Sequence, residues 1–320
     1  MVNKISRINS VLLVGLGGIA CSYDYEDSAS YVGQSKTHLT AATGAGLKVV
    51  GGIDLDESAR RTFEKHTKLV TWRSIDELPS DLSVDLVVVS TPSQTHKAVI
   101  DEIVGKIKPL AIICEKPFGN SKEDSKYIIE LLANKKIPLL VNYTREYSKS
   151  RNEITKYFNS DNFVTGSFTY SHGLRRSGSH FIRLITGLLG EPISIEKILS
   201  PKNATNPSFK LNYSDNRSFS FIGIETIEFR VATGVIELTD RMLTIQEGNR
   251  IVIQELPDNV NTPFWPSEGK TIFNSNLDGG LDEIYVNLSW TNTSSIHALS
   301  NKNAIDHVCN VIMDEVLSSY

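Results

Sequence analysis

The sequence predicts an α/β chain of two domains: a doubly wound parallel sheet, followed by an α+β domain with a mainly antiparallel open sheet. Up to about residue 145, short apolar runs alternate with helical patterns, which is typical of a parallel sheet covered on both faces. Beyond residue 146, strand-like segments follow one another through short turns, several with period-two alternation. The 320 residues suffice for two cores, so the domains are predicted at 1–145 and 146–320.

The composition excludes several classes of protein. Apolar residues at 40%, charged residues at 22% and a net charge of -4 are typical of a globular protein with no electrostatic attraction to nucleic acid or to a membrane surface. No apolar run approaches the roughly 20 residues that span a bilayer. The amino-terminal residues carry no secretory signal pattern, so we expect a cytoplasmic protein.

The three cysteines are few, odd in number and far apart in the sequence. Cys21, Cys114 and Cys309 fit neither a disulfide framework nor a zinc site, and no metal is expected. Burial is predicted for Cys114 and Cys309 because both lie in apolar patterns. Cys21 lies beside a glycine-rich turn, where a reactive thiol stays an open alternative.

That turn follows the first predicted strand. Gly15, Gly17 and Ala20 occupy the first, third and sixth places of a G-x-G-x-x-G/A pattern. Gly15 would permit the tight turn, and Gly17 would let the backbone approach a pyrophosphate at the start of a helix. The candidate cofactor contacts here are Gly15, Leu16, Gly17, Gly18 and Ile19. A plain strand-to-helix turn is the alternative.

An acidic residue ends the second predicted strand. Asp54 would accept hydrogen bonds from the adenosine ribose and repel the extra phosphate of NADP, which favours NAD. It follows Gly15 by 39 residues, more than the ~20 of the standard fingerprint, and the polar segment from Ser22 to His38 accounts for the excess. That segment is a substrate-facing insertion or a mobile flap. Asp54 also suits a helix-capping role, and Arg60 and Arg61 leave NADP open.

Polar residues follow the next three buried strands, at the edge where parallel sheets bind ligands. His96 is interpreted as a residue that caps or packs on the helix it opens. After the fourth, fifth and sixth strands come, respectively, Ser90-Thr91-Pro92 with His96, Glu115-Lys116-Pro117, and Asn142-Tyr143-Thr144-Arg145.

Together with Ser177-Gly178-Ser179-His180, which opens a later helix, these motifs resemble the Gfo/Idh/MocA family of NAD(P)-dependent oxidoreductases. The resemblance implies a Rossmann domain that binds NAD, a second domain for a sugar, cyclitol or sugar derivative, and a homodimer or homotetramer. It implies that Lys116 points at the reacting carbinol and that His180 takes or returns its proton. The implied cofactor contacts are the five turn residues, Asp54, Ser90, Thr91, Pro92, His96, Glu115 and Lys116, and the implied substrate contacts are Lys116, Tyr143, Arg145, Arg176 and His180.

The chemistry of the two catalytic candidates agrees with these roles. Loss of hydride from a C–H bond requires departure of the hydroxyl proton, and His180 is expected in a first helical turn, where the macrodipole favours the neutral imidazole. Lys116 would donate to the developing alkoxide. The structural alternative is that Lys116 merely pairs with Glu115 and that His180 caps its helix.

One feature departs from the family pattern. Where the family commonly has aspartates before and after the histidine, this chain has Arg176 and Arg183. One explanation is a cationic wall of Arg145, Arg175, Arg176 and Arg183 that binds an anionic, for instance nucleotide-linked, sugar through forked hydrogen bonds. The other is a protein that binds the dinucleotide without hydride transfer and acts as a sensor or subunit.

Overall fold

A computed structural model of the chain describes residues 7–25, 34–198, 204–225, 228–255, 269–290 and 303–318. The chain forms two compact units, residues 1–147 with 279–310 and residues 148–278 with 311–320. The boundary lies two residues beyond the predicted 145. Residues 279–310, which the prediction placed in the second domain, belong to the first unit.

The first unit is built on a six-stranded parallel sheet with the order β3-β2-β1-β4-β5-β6. Its fully buried central strands come from β-branched and leucine-rich runs, as the sequence predicted. The order reverses between β1 and β4, which is the point where doubly wound sheets bind ligands. The strands are β1 (Ser10–Val14), β2 (Lys48–Ile53), β3 (Thr71–Trp72), β4 (Leu86–Val89), β5 (Ala111–Cys114) and β6 (Leu139–Val141).

Helices cover both faces of this sheet, because alternate strand residues point to opposite sides. Val11 and Leu13 of β1 pack in one cluster, and Leu12 and Val14 pack in another. The helices of the whole chain are α1 (His38–Gly44), α2 (Glu57–Thr67), α3 (His96–Lys106), α4 (Lys122–Lys135), α5 (Thr144–Tyr147), α6 (Lys149–Ile154), α7 (Ser179–Leu189), α8 (Gly280–Trp290) and α9 (Asn303–Leu317).

Helix α8 explains why residues 279–310 return to the first unit. Leu281, Ile284, Tyr285 and Leu288 follow a helical spacing and are buried in the same cluster as Val11 and residues of α1. The helix was not predicted, although its i, i+3, i+4, i+7 pattern is legible in the sequence. Burial of this apolar stripe stabilises the packing of α8 on the first unit, although the helix is far along the chain from the other elements of that unit.

The helix after the glycine turn is interrupted. Residues 17–21 form one helical turn, and the chain then leaves through a short 3₁₀ turn, Ser22–Asp24. It returns at α1, where the N–H groups of His38 and Leu39 donate to the carbonyls of Ile19 and Ala20, both at 2.9 Å. The polar segment is therefore an insertion within one helix, which explains the long spacing to Asp54. Residues 26–33 of it lie outside the described residues.

The second unit contains an eight-stranded sheet with the order β14-β13-β12-β11-β7-β10-β9-β8. Among its described strand pairs, β7 and β10 run parallel and the others antiparallel, so the predicted mainly antiparallel sheet is confirmed. The strands are β7 (Phe163–Tyr170), β8 (Ser194–Lys197), β9 (Phe209–Asn212), β10 (Ser218–Gly223), β11 (Ala232–Leu238), β12 (Arg241–Gln246), β13 (Arg250–Glu255) and β14 (Lys270–Asn276).

One face of this sheet is closed by aromatic packing. The rings of Phe168 on β7 and Phe181 on α7 stack with centroids 3.8 Å apart, and Phe221 stacks on Phe209 at 4.8 Å. On the opposite face of β7, Thr165 and Ser167 are exposed. The sheet therefore buries one face and leaves the other to solvent, as antiparallel sheets commonly do.

The sequence patterns of this unit predict a helix at 152–158, a strand at 226–231, a surface excursion at 257–280 and a closing helix at 295–317, and several of these boundaries are wrong. A strand was predicted at 226–231, yet residues 228–231 are not in a strand, and 226–227 lie outside the described residues. The helix predicted at 152–158 is α6, three residues earlier, because Ser148 caps it. Residues 270–276, predicted as part of a surface excursion, form the edge strand β14. The closing helix is described only from Asn303, and residues 295–302 lie outside the described residues.

None of the helices in the described ranges combines the length and the apolar character that crossing a membrane requires.

Candidate functional site

The glycine turn has the two properties that a dinucleotide cradle needs. Gly15 has a φ of +88°, and a Cβ there would lie 2.8 Å from the backbone of Ser90 and Thr91. A Cβ on Gly17 would instead meet no atom within 4 Å. Glycine at position 15 is thus required by the protein itself, whereas the space beside Gly17 is open to a ligand. The turn therefore fits the close approach of a pyrophosphate to the backbone.

We predict that Gly15→Ala lowers the free energy of unfolding by roughly 2–4 kcal/mol, since it combines a left-handed backbone with a steric clash. Gly46→Ala is the matched control. Gly46 has a similar φ of +79°, but its added Cβ would meet no atom within 4 Å. Urea denaturation of both variants separates the clash from the backbone conformation. Equal losses would show that the loop after β4 yields to the methyl group.

The start of the insertion lies against the same turn. The ring of Tyr23 covers Gly18, where any Cβ would collide with it, and about half of the Tyr23 side chain is exposed. The ring of Tyr25 stacks on His66 of α2, with centroids 4.0 Å apart. Cys21 is fully buried, and burial raises the pKa of its thiol to about 11. Burial and the raised pKa both disfavour a reactive thiol at Cys21, because the thiolate is the reactive form.

Asp54 connects the end of β2 to the glycine turn. Its Oδ2 accepts the N–H of Leu16 at 2.7 Å, and its Oδ1 accepts the N–H of Asp56 at 2.9 Å. Arg60 donates to the carbonyl oxygens of Asp54 and Leu55, at 2.7 and 3.0 Å. The capping of α2 comes from Asp56, which accepts the N–H of Ser58 at 2.8 Å. Asp54 is thus fixed at the turn, and Asp56, two residues later, caps α2.

The loop after β4 is held by the glycine turn and by hydrogen bonds with the start of α3. The Ser90 hydroxyl donates to the carbonyl of Gly15 at 2.9 Å, and Pro92 accepts from the Thr95 hydroxyl at 2.7 Å. His96 Nε2 lies 2.7 Å from the carbonyl of Thr91. The His96 ring is only 1% exposed, and burial lowers its pKa, so it is neutral and supports the loop by packing. The predicted packing role fits this geometry, whereas direct contact of its ring with a cofactor does not.

The end of β5 holds a buried network that the sequence did not reveal. The carboxylate of Glu115 accepts hydrogen bonds from Asn142 and from His38, whose Nε2 lies 3.0 Å away. The other ring nitrogen of His38 lies 2.8 Å from the hydroxyl of Tyr285 on α8. Lys116 is the next residue after Glu115 and is half-buried. Glu115 is thus paired with His38, which weakens the alternative that Lys116 serves only as its partner.

Two predicted substrate contacts of the first unit differ in their surroundings. Tyr143 is 1% exposed and belongs to the same core cluster as Phe118 and Ile128, and this burial disfavours its predicted contact with substrate. Arg145 is half-buried on the short helix α5.

His180 is the second residue of α7 in the other unit. A π-helical turn, Leu174–Gly178, leads directly into α7, and the N–H groups of Ser177 and Gly178 donate to the carbonyl of Gly173 at 2.9 and 3.2 Å. The expectation that His180 lies at the positive end of a helix is therefore wrong. The macrodipole acts within the first turn, and that turn begins at Leu174.

The loop before this turn is tightly held. His172 and Gly173 both have left-handed φ values, of 68° and 88°. The N–H of Gly173 donates to the Asn206 side chain at 2.7 Å, and the N–H of Asn206 donates to Glu225 at 2.6 Å. Such a backbone is uncommon for a residue other than glycine and is often found near functional sites. The adjacent His-Gly pair is the only signal in the sequence.

Only part of the predicted cationic wall is exposed in a way that would let it bind an anionic substrate. Arg175 forms an ion pair with Asp314 at 2.5 Å, and Arg183 is 1% exposed inside the unit. Arg176 is exposed on the π-helical turn. A wall of four arginines is therefore wrong, because one guanidinium is neutralised by a carboxylate and another is buried away from solvent. Arg176 stays a candidate for an anionic group.

The strand order, the cradle at Gly17 and the acidic residue beside it define the first unit as a Rossmann domain of the dinucleotide-binding class. Comparison with known proteins agrees. Residues 10–143 match the oxidoreductase family described as having an NAD-binding Rossmann fold. This match over the first unit agrees with the resemblance to the Gfo/Idh/MocA family.

Similar proteins extend this picture. Inositol 2-dehydrogenase 1 of Saccharopolyspora erythraea is 33% identical over 96 residues, 29% of this chain and 28% of that protein. UDP-N-acetylglucosamine 3-dehydrogenase from Acidithiobacillus ferrooxidans has a TM-score of 0.72 at 15% identity, with 97% of each chain covered. A levoglucosan dehydrogenase, solved with NADH and levoglucosan, has a TM-score of 0.69 at 14% identity, covering 98% of this chain and 97% of its own. The curated relatives are matched over only 22–35% of their lengths. The structural likeness establishes the fold of both units.

Proposed function

We propose that this protein is an NAD-dependent dehydrogenase or reductase that acts on a hydroxyl or keto carbon of a sugar, a cyclitol or a sugar derivative. The observation that carries the proposal is the position of Lys116. It follows β5, two strands from β1, on the sheet edge that also bears the glycine turn. Two strand spacings amount to roughly 10 Å, which is within the span of a dinucleotide bound at that edge.

The proposed chemistry divides between the cofactor and the protein. NAD, when bound, accepts or supplies the hydride. The ammonium group of Lys116 donates a hydrogen bond to the substrate oxygen and stabilises the charge that develops on it. The imidazole of His180 takes the proton from the hydroxyl in oxidation and returns it in reduction. Both roles follow the family resemblance and the residue types.

The arginines of the second unit bear on the charge of the substrate. Arg175 forms an ion pair with Asp314 and Arg183 is buried, whereas Arg176 is exposed and is the member of the predicted arginine set that we propose for binding a carboxylate or phosphate. Inositol, levoglucosan and a UDP-linked sugar appear in the names of similar proteins, so neutral and anionic sugars both belong in the test. We expect Arg176→Ala to weaken binding of anionic sugars alone.

The function is tested in two stages. Thermal-shift titration with NADH and NADPH measures cofactor binding, because a ligand that binds the folded state raises the melting temperature. Cofactor absorbance is then followed with a panel of neutral sugars, cyclitols and nucleotide sugars. Turnover with at least one of them is expected. NADH binding without turnover across the panel would favour a sensor or subunit, and no stabilisation by either cofactor would refute the proposal.

Cofactor preference provides a separate prediction. Asp54→Asn is expected to raise the affinity for NADPH relative to NADH by about tenfold, since removing one like charge from the 2′-phosphate is worth about 1.4 kcal/mol. The amide oxygen still accepts the N–H of Leu16. Asp56→Asn is the matched control, because that carboxylate caps α2. An unchanged ratio in Asp54→Asn would show that Asp54 does not face the ribose.

We propose a homodimer or homotetramer that uses the solvent face of the second sheet. That face bears small polar and apolar residues, among them Thr165, Ser167 and Ile222, the last 37% exposed. Light scattering of the purified protein measures the assembly. A monomer at micromolar concentration would contradict this expectation.

A further inference from the structure

A chain of buried polar groups ends at the residue next to Lys116. Tyr285 and His38 are fully buried, and their hydrogen bond of 2.8 Å is followed by the 3.0 Å bond from His38 to Glu115. Asn142 donates to the same carboxylate oxygen. We call these four residues, Tyr285, His38, Glu115 and Asn142, the Glu115 network. It joins α8, α1, β5 and the end of β6, and the sequence pattern assigned a role to Glu115 alone.

The protonation of this network follows from its contacts. Burial by itself raises the pKa of Glu115, but the hydrogen bonds from His38 and Asn142 and the charges of His38 and Lys116 outweigh it, so the pKa is lowered. Glu115 is therefore a carboxylate and an acceptor. Burial, together with the charge of Glu115, raises the pKa of Tyr285 well above its usual value. The phenol thus keeps its proton and can donate to His38, while His38 Nε2–H donates to Glu115.

Two other titratable side chains close to Glu115, those of His96 and Cys114, are uncharged. Burial keeps His96 neutral and raises the pKa of the Cys114 thiol well above its usual value. Glu115 is followed directly by Lys116, whose backbone N–H also points at Glu115 Oε2, at 3.3 Å. The carboxylate and the ammonium attract each other, and burial strengthens that attraction.

We propose that His38 and Tyr285 are positioning residues for Lys116, acting by holding Glu115 as a fixed carboxylate beside it. A buried polar network of this kind is costly unless its members are satisfied. Here the donors of His38 and Asn142 converge on one carboxylate, and the amide oxygen of Asn142 is left without a hydrogen-bond partner among the described residues. The carboxylate then holds the Lys116 side chain as an oriented ammonium donor. This inference rests on the proposed role of Lys116 in catalysis.

The test measures the reactivity of Lys116 and needs neither cofactor nor substrate. The protein is labelled with acetic anhydride between pH 6 and 11, and acetylation of Lys116 is measured by peptide mass spectrometry against Lys126, an exposed lysine of α4. Glu115→Gln is expected to move the pH midpoint of Lys116 labelling down by about one unit, the effect of losing a nearby opposite charge. His38→Leu should move it in the same direction by a smaller amount, because the carboxylate stays charged but is no longer held beside Lys116. His38→Gln should restore it, because its amide can donate to Glu115 and accept from Tyr285.

Two further variants keep the test decisive. Tyr285→Phe removes one oxygen while keeping the buried ring, so it should fold even if His38→Leu does not, and it should shift the midpoint in the same direction by a smaller amount. His307→Gln is the control, since His307 bonds to Ser125 at 2.8 Å on other helices of the same unit. It should leave Lys116 unchanged.

The outcomes separate this inference from the proposed function. A midpoint unmoved in Tyr285→Phe and in folded His38→Leu would overturn the positioning role, even if Lys116 proves essential for turnover. A His38→Gln variant as strongly shifted as His38→Leu would also overturn it. Shifts as expected support the network, and failure of every sugar in the panel would then count against the dehydrogenase alone.

Discussion

Replacing Gly17 with valine is expected to leave the protein folded and to weaken NADH binding by at least about 100-fold. The space beside Gly17 is open, so the added side chain meets no protein atom near its Cβ. The same side chain would occupy the place where a pyrophosphate approaches the backbone. Loss of two charge-assisted hydrogen bonds, at roughly 1.5–3 kcal/mol each, corresponds to more than two orders of magnitude in affinity.

The measurement combines urea denaturation with NADH titration. The free energy of unfolding should change by less than about 1 kcal/mol, since the site is open and Gly17 does not require a left-handed backbone. Gly105→Val, at another open glycine on α3, is the control and should bind NADH normally. Normal binding by Gly17→Val would mean that the dinucleotide does not lie on this turn.

The contrast between Gly15 and Gly17 shows how far the sequence could take the argument. The G-x-G-x-x-A spacing identifies both glycines as parts of one fingerprint. Only the structure shows that a Cβ at position 15 would clash with the backbone of Ser90, whereas a Cβ at position 17 would lie in open space. Sequence periodicity predicted the parallel sheet because each buried strand is a local apolar run, and a local run is what such a pattern detects.

The Glu115 network could not be predicted in this way. His38 and Glu115 are 77 positions apart, and His38 and Tyr285 are 247 apart. Within the sequence, His38 is one polar residue at the end of an insertion, and Tyr285 is one member of an apolar helical stripe. The two side chains are in contact because α8 packs on the first unit, and no local sequence pattern specifies that packing.

Errors in the second unit have a related cause. The edge strand β14 pairs on one side only, with β13, and none of its residues is buried, so the sequence Lys270–Asn276 lacks a clear alternation. The π-helical turn before α7 also has no signature of its own. Its backbone is set by the loop at Gly173, which a distant asparagine, Asn206, holds. Tertiary contacts decided these elements, not local propensity.

Replacing Lys116 with methionine is expected to lower kcat by about 10³-fold while NADH affinity changes less than about threefold. Methionine keeps the length and apolar stem of lysine but removes the ammonium. The effect falls on kcat because a donor to a developing alkoxide acts mainly in the transition state, and preorganised donors of this kind are worth about 10²–10³-fold or more. The sugar that gives the highest turnover in the panel serves as substrate.

Lys126→Met controls for the loss of a positive charge from the same domain, because Lys126 is 68% exposed on α4. His180→Ala provides the second comparison. If both side chains act on one hydroxyl, the double variant should be little slower than the worse single variant, since groups that act as a unit are strongly non-additive. Additive losses would mean that the two residues serve separate steps. A Lys116→Met enzyme with undiminished kcat would exclude this lysine from the chemistry, whatever the cofactor affinity.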